Sequence, residues 1–330
     1  MNAARFTIGI GNRYDSLYLR NGTVKVEGFD VAYPSPPERA ESRPQPGGEG
    51  YVAPSSIFTA VATQSVYDVG ELALSTYFQA VDYGKEITAI PVFPSRFFPH
   101  CQIAVHVDSA IEEPKDLVGK RFGVGFFSKN YAVWLRGVLR EQYHVPVEKI
   151  IWVEDEPEHF LEYRPPDRFL VEKAPAGETL SSLLKTGKID ALAAPRAPER
   201  NRSPKVRALF ENPYPAIREY YKGHPFFPIN TVLTVPKSTL KKSPDFSQSV
   251  FAAFKQAFEL YRDEVRSEKR EDEHSGLSLK RLEAESGVAL LGYGLRENRE
   301  NLRAMIQYCY EQGVIRRRYE PEELFLLAET

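Results

Sequence analysis

The chain has 330 residues, 42% of them hydrophobic and 27% charged, with a formal net charge of −2. At about 150 residues per domain this length makes two lobes, and the composition suits an ordinary buried core. The near-neutral balance excludes a charge-driven binder of nucleic acid or anionic membrane, and no apolar run is long enough to span a bilayer.

RFTIGIG reads as a first strand that begins almost at once. The N-terminus lacks the charged and apolar regions of a secretory leader, so a cytoplasmic location is expected. Cys101 and Cys309 are far apart and are expected as free thiols, and no Cys/His spacing suggests zinc. Arg13 and Tyr14 follow the first strand at its carboxyl end, where open α/β sheets bind ligands. A solvated surface arginine is the competing reading. TVKVEGFDVAYP reads as a second strand. Residues 35–50, rich in proline, glycine and charge, read as an exposed loop, an inert insertion rather than a lid. Ser55 or Ser56 then caps a helix with Ile57, Phe58, Val61 and Ala62 on one face.

DVGELALSTYFQAV reads as the next helix. Asp68 can cap it, and Glu71 three residues on completes a capping-box spacing. Glu71 is the more open of the two acids, because Gly70 lets backbone approach closely. Ser75 and Thr76 follow on the same helix. The strand ITAIPVF delivers Ser95 and Arg96 at its carboxyl end, with Phe97, Phe98 and His100 beyond. An arginine flanked by aromatics suits a planar carboxylate, which guanidinium can bind with two parallel hydrogen bonds. The competing reading is a buried arginine paired to Asp68 or Glu71.

KRFGVG followed by SKNYAVWLRGVLREQY is a strand, a loop and an amphipathic helix. GVGFFS lacks the third glycine of a dinucleotide fingerprint, so such a site is rejected. Ser128, Lys129 and Asn130 at the helix N-terminus suit an anion. Trp134 and Arg136 lie in the first turns, Trp134 as core rather than ligand platform. KIIWVED is a strand and EHFLEYRPPDRFLVEKAP is irregular. ETLSSLLKTGKIDALAA is a helix, a turn and a strand, with Arg196 and Glu199 just past its end. His224, Phe226, Phe227 and Asn230 lead into the strand NTVLTV. From residue 243 the chain reads as helical, and Val250, Phe251, Phe254, Ala257, Phe258 and Tyr261 keep a 3.6-residue period.

The phrases EEPKDLVGKRFGVG and ETLSSLLKTGKIDALAA resemble the second lobe of the type II periplasmic-binding-protein fold. That resemblance implies an α/β protein of two Rossmann-like lobes with a central cleft. Residues 1–98 would be the first part of lobe 1, 99–229 lobe 2, and 230–330 the return into lobe 1 with the C-terminal helices. More narrowly, VEGFDV, YDVGELALSTY, IPVFPSRFF with His100, DLVGKRFGV, AVWLRGVL and FPIN are similar to the 4,5-dihydroxyphthalate decarboxylases. This implies a carbon–carbon lyase acting on a hydroxylated aromatic carboxylate. It also implies a site that includes Arg13, Glu71, Ser75, Ser95, Arg96, His100, Trp134 and Arg136. Lys129, Asn130, Arg196, His224 and Asn230 join it from the strand-end and helix-end readings. The chain departs from the family pattern at Pro99, at Tyr131–Ala132 and at Asn230–Thr231, so substrate identity is expected to be decided there.

The implied chemistry protonates the ring and then expels CO2. His100 is the expected general acid, because its unperturbed pKa lies nearest neutrality. Glu71 is the expected base or phenol acceptor, and Arg96 and Arg136 the carboxylate anchors. No organic cofactor is called for. A divalent ion on Asp68, Glu71 and His100 is compatible with the residue types but not required by the spacing. The expected partner is a small aromatic carboxylate, with assembly into a homo-oligomer left open. The alternative is a non-catalytic binding protein that uses the same lobes and arginines.

Overall fold

A computed structural model describes the chain except residues 1–4, 12, 35–57, 59–60, 62–65, 195–202, 268, 270–272, 275–276, 290–291 and 327–330. The expected loop at 35–50, most of the helix expected from Ser55 or Ser56, and Arg196 lie outside the described residues.

Two sheets organise the rest. The first holds β1 (Phe6–Gly9), β2 (Val31–Ala32), β3 (Val69–Ala73), β4 (Ile87–Ile90) and β11 (Thr231–Pro236), in the order β2-β1-β3-β11-β4. The second holds β5 (Ile103–His106), β6 (Arg121–Val124), β7 (Ile151–Glu154), β8 (Leu170–Lys173), β9 (Ala191–Ala193) and β10 (Val206–Ala208), in the order β10-β5-β9-β6-β7-β8. β1 pairs parallel with β2 and β3, while β11 enters antiparallel between β3 and β4. The second sheet is parallel from β9 through β8, with β5 and β10 antiparallel.

Two crossing segments join the lobes and pair antiparallel with each other. Phe97 N donates to Pro228 O at 3.1 Å and Asn230 N to Ser95 O at 2.8 Å, and Arg96 bridges Ile229.

β3 differs from the helix expected over DVGELALSTY. Asp68 caps nothing: its Oδ2 accepts from Thr7 N and Thr7 Oγ1, both at 2.9 Å, and ties β3 to β1. The helix α2 (Leu74–Asp82) starts only after β3, and every residue of β3 is buried. A strand covered on both faces reads as a continuous apolar run rather than an alternating one, and here the capping-box spacing imitated a helix start. Gly70 is there because a Cβ would lie 2.3 Å from Val61 Cγ2.

The helices that carry the site follow strands: α1 (Tyr14–Arg20) after β1, α2 after β3, and α3 (Asn130–Tyr143) after β6. In lobe 2, α4 (Leu180–Lys185) and α5 (Tyr214–Gly223) follow β8 and β10; α5 and the strands β8 and β10 were not anticipated. After β11 come α6 (Lys237–Lys242), α7 (Phe246–Arg266), α8 (Leu279–Ser286), α9 (Arg299–Glu311) and α10 (Pro321–Leu324). Burying each of Val250, Phe254 and Phe258 along α7 contributes roughly 1.5–3 kcal/mol. The C-terminal helices do not all stay with lobe 1. α7 packs on α1, but α8 packs on α5 and α9 on α3, both helices of lobe 2. Gly137 makes the second contact possible, since a Cβ there would sit 2.4 Å from the Tyr308 ring.

Candidate active site

In lobe 1 the site is built on β3. Glu71, fully buried at 0% exposure, reaches the loop after β1. Its Oε2 accepts from Gly11 N at 3.0 Å and from Arg13 Nη2 at 2.9 Å. Arg13 keeps 17% of its side chain exposed. A buried carboxylate survives in such a place by pairing and hydrogen bonding. Among the described residues no hydrogen bond reaches Glu71 Oε1. An acceptor left so costs about 1–3 kcal/mol, a deficit that a ligand hydroxyl would remove.

The lobes meet where α2 and α3 begin. Ser75 N donates to Asn130 Oδ1 at 2.9 Å and Ser75 Oγ to Ser128 O at 2.8 Å. Asn130 Nδ2 reaches Asn230 Oδ1 at 3.2 Å, and Asn230 Nδ2 reaches Ser95 Oγ at 3.4 Å. The polar residues expected at strand ends therefore converge on one seam.

The wall of lobe 2 is the loop between β6 and α3 with the loop after β7. Lys129 precedes α3, pairs with Glu156 at 2.8 Å and lies over the Phe126 ring at 4.9 Å. Burial works against its charge, but Tyr131 and Glu156 outweigh burial and raise its pKa. Gly125 leaves room for this pair: a Cβ would lie 2.6 Å from Lys129 Nζ. Tyr131 OH accepts from Gly125 N at 2.8 Å. Glu158 accepts from Ser128 N at 3.0 Å and from the Ser128 hydroxyl. Burial, reinforced by Glu154 and opposed by Ser128, raises the Glu158 pKa to about 7. His159, which the sequence reading passed over, meets Thr76 Oγ1 through Nδ1 at 3.1 Å and lies 4.8 Å from the Phe126 ring centroid.

Several expected site residues sit elsewhere. Arg96 is 4% exposed and donates to Phe227 O at 3.0 Å and Asn298 Oδ1 at 2.6 Å, so it fastens the crossing segments. Arg136 is fully buried and donates to Gln312 Oε1 and Phe127 O, both at 2.6 Å, beneath the Phe127 ring. Burial lowers each guanidinium to about 10. Trp134 donates to Ile229 O at 2.8 Å and is core. His100 bonds Gln142 Oε1 at 2.7 Å, among Phe98, Tyr143, Phe210 and Tyr220. Burial lowers its pKa to about 4, and the N–H that the neutral ring keeps is spent on Gln142 Oε1. Gln142 lies twelve residues along α3 from Asn130, about 18 Å by helical rise. His224 is at that same far end, paired with Glu141 at 2.7 Å.

Asp68, Glu71 and His100 do not converge, since their partners are Thr7, Arg13 and Gln142. Among the described residues no group of three His, Cys, Asp or Glu side chains is arranged to hold a metal ion. Among them, too, no helix is long and apolar enough to cross a membrane.

No family model matches the chain. Among solved structures it resembles the alkanesulfonate-binding protein SsuA of Xanthomonas axonopodis pv. citri, with a TM-score of 0.58 at 17% identity over 99% of both chains. SsuA of Escherichia coli gives 0.57 at 16% identity, covering 99% of this chain and 93% of that one. The desulfurization enzyme DSZB gives 0.53 at 14% identity, covering 97% and 96%. These likenesses fix the periplasmic-binding-protein fold, which serves binding proteins and enzymes alike. Curated relatives separate further. A 4,5-dihydroxyphthalate decarboxylase of Comamonas testosteroni is 31% identical over 98% of this chain and 97% of its own length. One of Pseudomonas putida is 32% identical over 68% of this chain and 83% of its own. Full-length similarity at that level, on a two-lobed fold with a buried acid and half-buried cations at its seam, makes this chain a member of the 4,5-dihydroxyphthalate decarboxylase family.

Proposed function

We propose that this chain removes one carboxylate, as CO2, from a hydroxylated aromatic dicarboxylate of the 4,5-dihydroxyphthalate type, without an organic cofactor. The observation that carries the reading is one half-buried cation on each lobe, Arg13 paired with the buried Glu71 and Lys129 paired with Glu156. Arg13 belongs to lobe 1 and Lys129 to lobe 2, with 17% and 23% of their side chains exposed. Two ring carboxylates need two cations, and one on each lobe makes binding and closure the same event. Glu71 Oε1 is the acceptor for a ring hydroxyl.

The chemistry comes from the ring. Each carboxyl-bearing carbon of a 4,5-dihydroxyphthalate lies para to a hydroxyl. When Glu71 draws off that hydroxyl's proton, the oxygen pushes electron density to the para carbon, which takes up a proton. The carbon–carbon bond then breaks, its electron pair returns to the ring, CO2 leaves, and the phenol recovers its proton. Each group that moves a proton in such a step is worth about 10²–10⁴-fold.

The test incubates purified protein with hydroxylated benzoates and phthalates and measures CO2. Turnover of ring-hydroxylated dicarboxylates, with none of unsubstituted phthalate, is expected. Tight binding of the dihydroxylated compound without CO2 would make the protein a receptor instead.

A further inference from the structure

We propose that His159 is the acid that protonates the ring carbon from which CO2 departs. The proposal rests on the decarboxylase reading and supplies the proton source that reading lacks.

Position selects it. His159 comes after β7 on the loop at its carboxyl end, where α/β sheets present ligand-contacting residues. Its Nδ1 meets Thr76 Oγ1 at 3.1 Å, and Thr76 is in the first turn of α2 on the opposite lobe. The adjoining Ser75 amide is held by Asn130, the first residue of α3. The imidazole thus stands where both helices begin, against Phe126 of the loop before α3. It is half-buried rather than sealed.

The other histidines with described side chains lie elsewhere. His100 and His224 bond to Gln142 and Glu141 in the last turn of α3. His144 is the residue that ends that helix. His106 closes β5, near the Gly187 turn.

Atoms and electrons balance across the step. His159 in its protonated form gives the Nε2 proton to the carboxyl-bearing carbon, which binds it with the electron pair supplied through the para oxygen. After CO2 leaves, the product retains that hydrogen, and neutral His159 takes a proton from solvent. The Thr76 contact fixes the ring plane through Nδ1. Because Thr76 belongs to the other lobe, the contact ties the placement of the acid to the way the two lobes meet.

The test compares wild type, His159→Gln, His159→Asn and Thr76→Val, with His106→Gln as a control. Substrate binding by calorimetry and thermal unfolding establish that each variant is folded. His159→Gln and His159→Asn are expected to lose at least about 100-fold in kcat, the scale of one general acid, while dissociation constants change less than threefold. Wild-type kcat is expected to fall as pH rises, and that fall should be absent from both His159 variants. Thr76→Val, which only frees the ring, should lose less and keep the pH profile's shape. The control should stay within threefold of wild type. An active wild type together with either His159 variant within threefold of it overturns this proposal and leaves the decarboxylase reading standing. A wild type that binds the dihydroxyphthalate without releasing CO2 overturns both.

Discussion

Two regions of this molecule are rich in buried polar groups, and they differ in what those groups are still able to accept. The block around α3 and α9 holds Arg96, Arg136, Trp134 and His100, whose contacts run to carbonyls, amides and aromatic faces of the protein itself. At the strand and helix ends of the two lobes lie Arg13, Lys129, Glu158 and His159, all partly open, and Arg13 pairs with Glu71, whose Oε1 takes no hydrogen bond among the described residues. A buried arginine engaged by its own protein is a fastener, whereas the function proposed above makes the half-buried Arg13, beside Glu71, a binding group. Residue type does not separate the two; the partners do.

The largest test of that contrast is Arg136→Ala. It removes two hydrogen bonds and the side chain stacked on Phe127, so unfolding in urea should show a loss of about 3–5 kcal/mol. KM measured on the remaining folded protein should hold. A normal stability with a collapsed kcat/KM would move Arg136 into the site.

Arg13→Gln asks the opposite question. Losing a charge-assisted contact to a ligand carboxylate is worth about 1.5–3 kcal/mol, which is roughly 10- to 150-fold in kcat/KM. Unchanged kinetics would demote Arg13 to a partner of Glu71 alone.

Gly125→Ala is gentler. The new methyl meets the flexible ends of Lys129 and Glu156, so the melting temperature should hardly move. KM should rise about 3- to 10-fold, up to about 1.4 kcal/mol of binding, as the Lys129 ammonium is pushed aside. An unaltered KM would mean that Lys129 does not touch substrate.

The smallest effect concerns His224 and Glu141, at the far end of α3. Hydrogen bonding to Glu141 raises the His224 pKa. A raised folded-state pKa contributes stability that is present below the unfolded value, near 6.5, and is lost as pH rises through the folded value. Burial opposes ionisation of Glu141, but the bonds from His224 and Tyr308 prevail and lower its pKa. Its share of stability is present above its unfolded pKa and is lost as pH falls through the folded one. His224→Gln should therefore lower the melting temperature more at pH 5.5 than at pH 8.5, with kcat unaffected. An equal loss at both values would show that the pair is not charged.

The lobe pattern was legible in EEPKDLVGKRFGVG and KTGKIDALAA because strand, glycine turn and amphipathic helix succeed one another with clear periods. β3 was not, since a fully buried strand shows no alternation and its Asp68–Glu71 spacing copies a helix start. β8, β10 and α5 are short or proline-flanked, and periodicity needs length to register. In the site, Arg13, Glu71, Ser75, Lys129, Asn130 and Asn230 stand out because each lies near the end of a strand or the start of a helix. His100, Arg96 and Arg136 stand out by residue type and resemblance, and neither tells which end or face of a helix a side chain meets. The strand-end rule that points to Arg13 also reaches His159, five residues past β7; the strand KIIWVED was legible, but the irregular EHFLEYRPPDRF after it has no period that singles out one residue.

The most direct measurement monitors 4,5-dihydroxyphthalate and the purified protein in D2O with EDTA present, by proton NMR. Ring protonation by this chain alone predicts one CO2 per substrate and a dihydroxybenzoate carrying a single deuterium at the vacated carbon. Substrate that binds but persists unchanged, or turnover that EDTA abolishes, would contradict a cofactor-free decarboxylase.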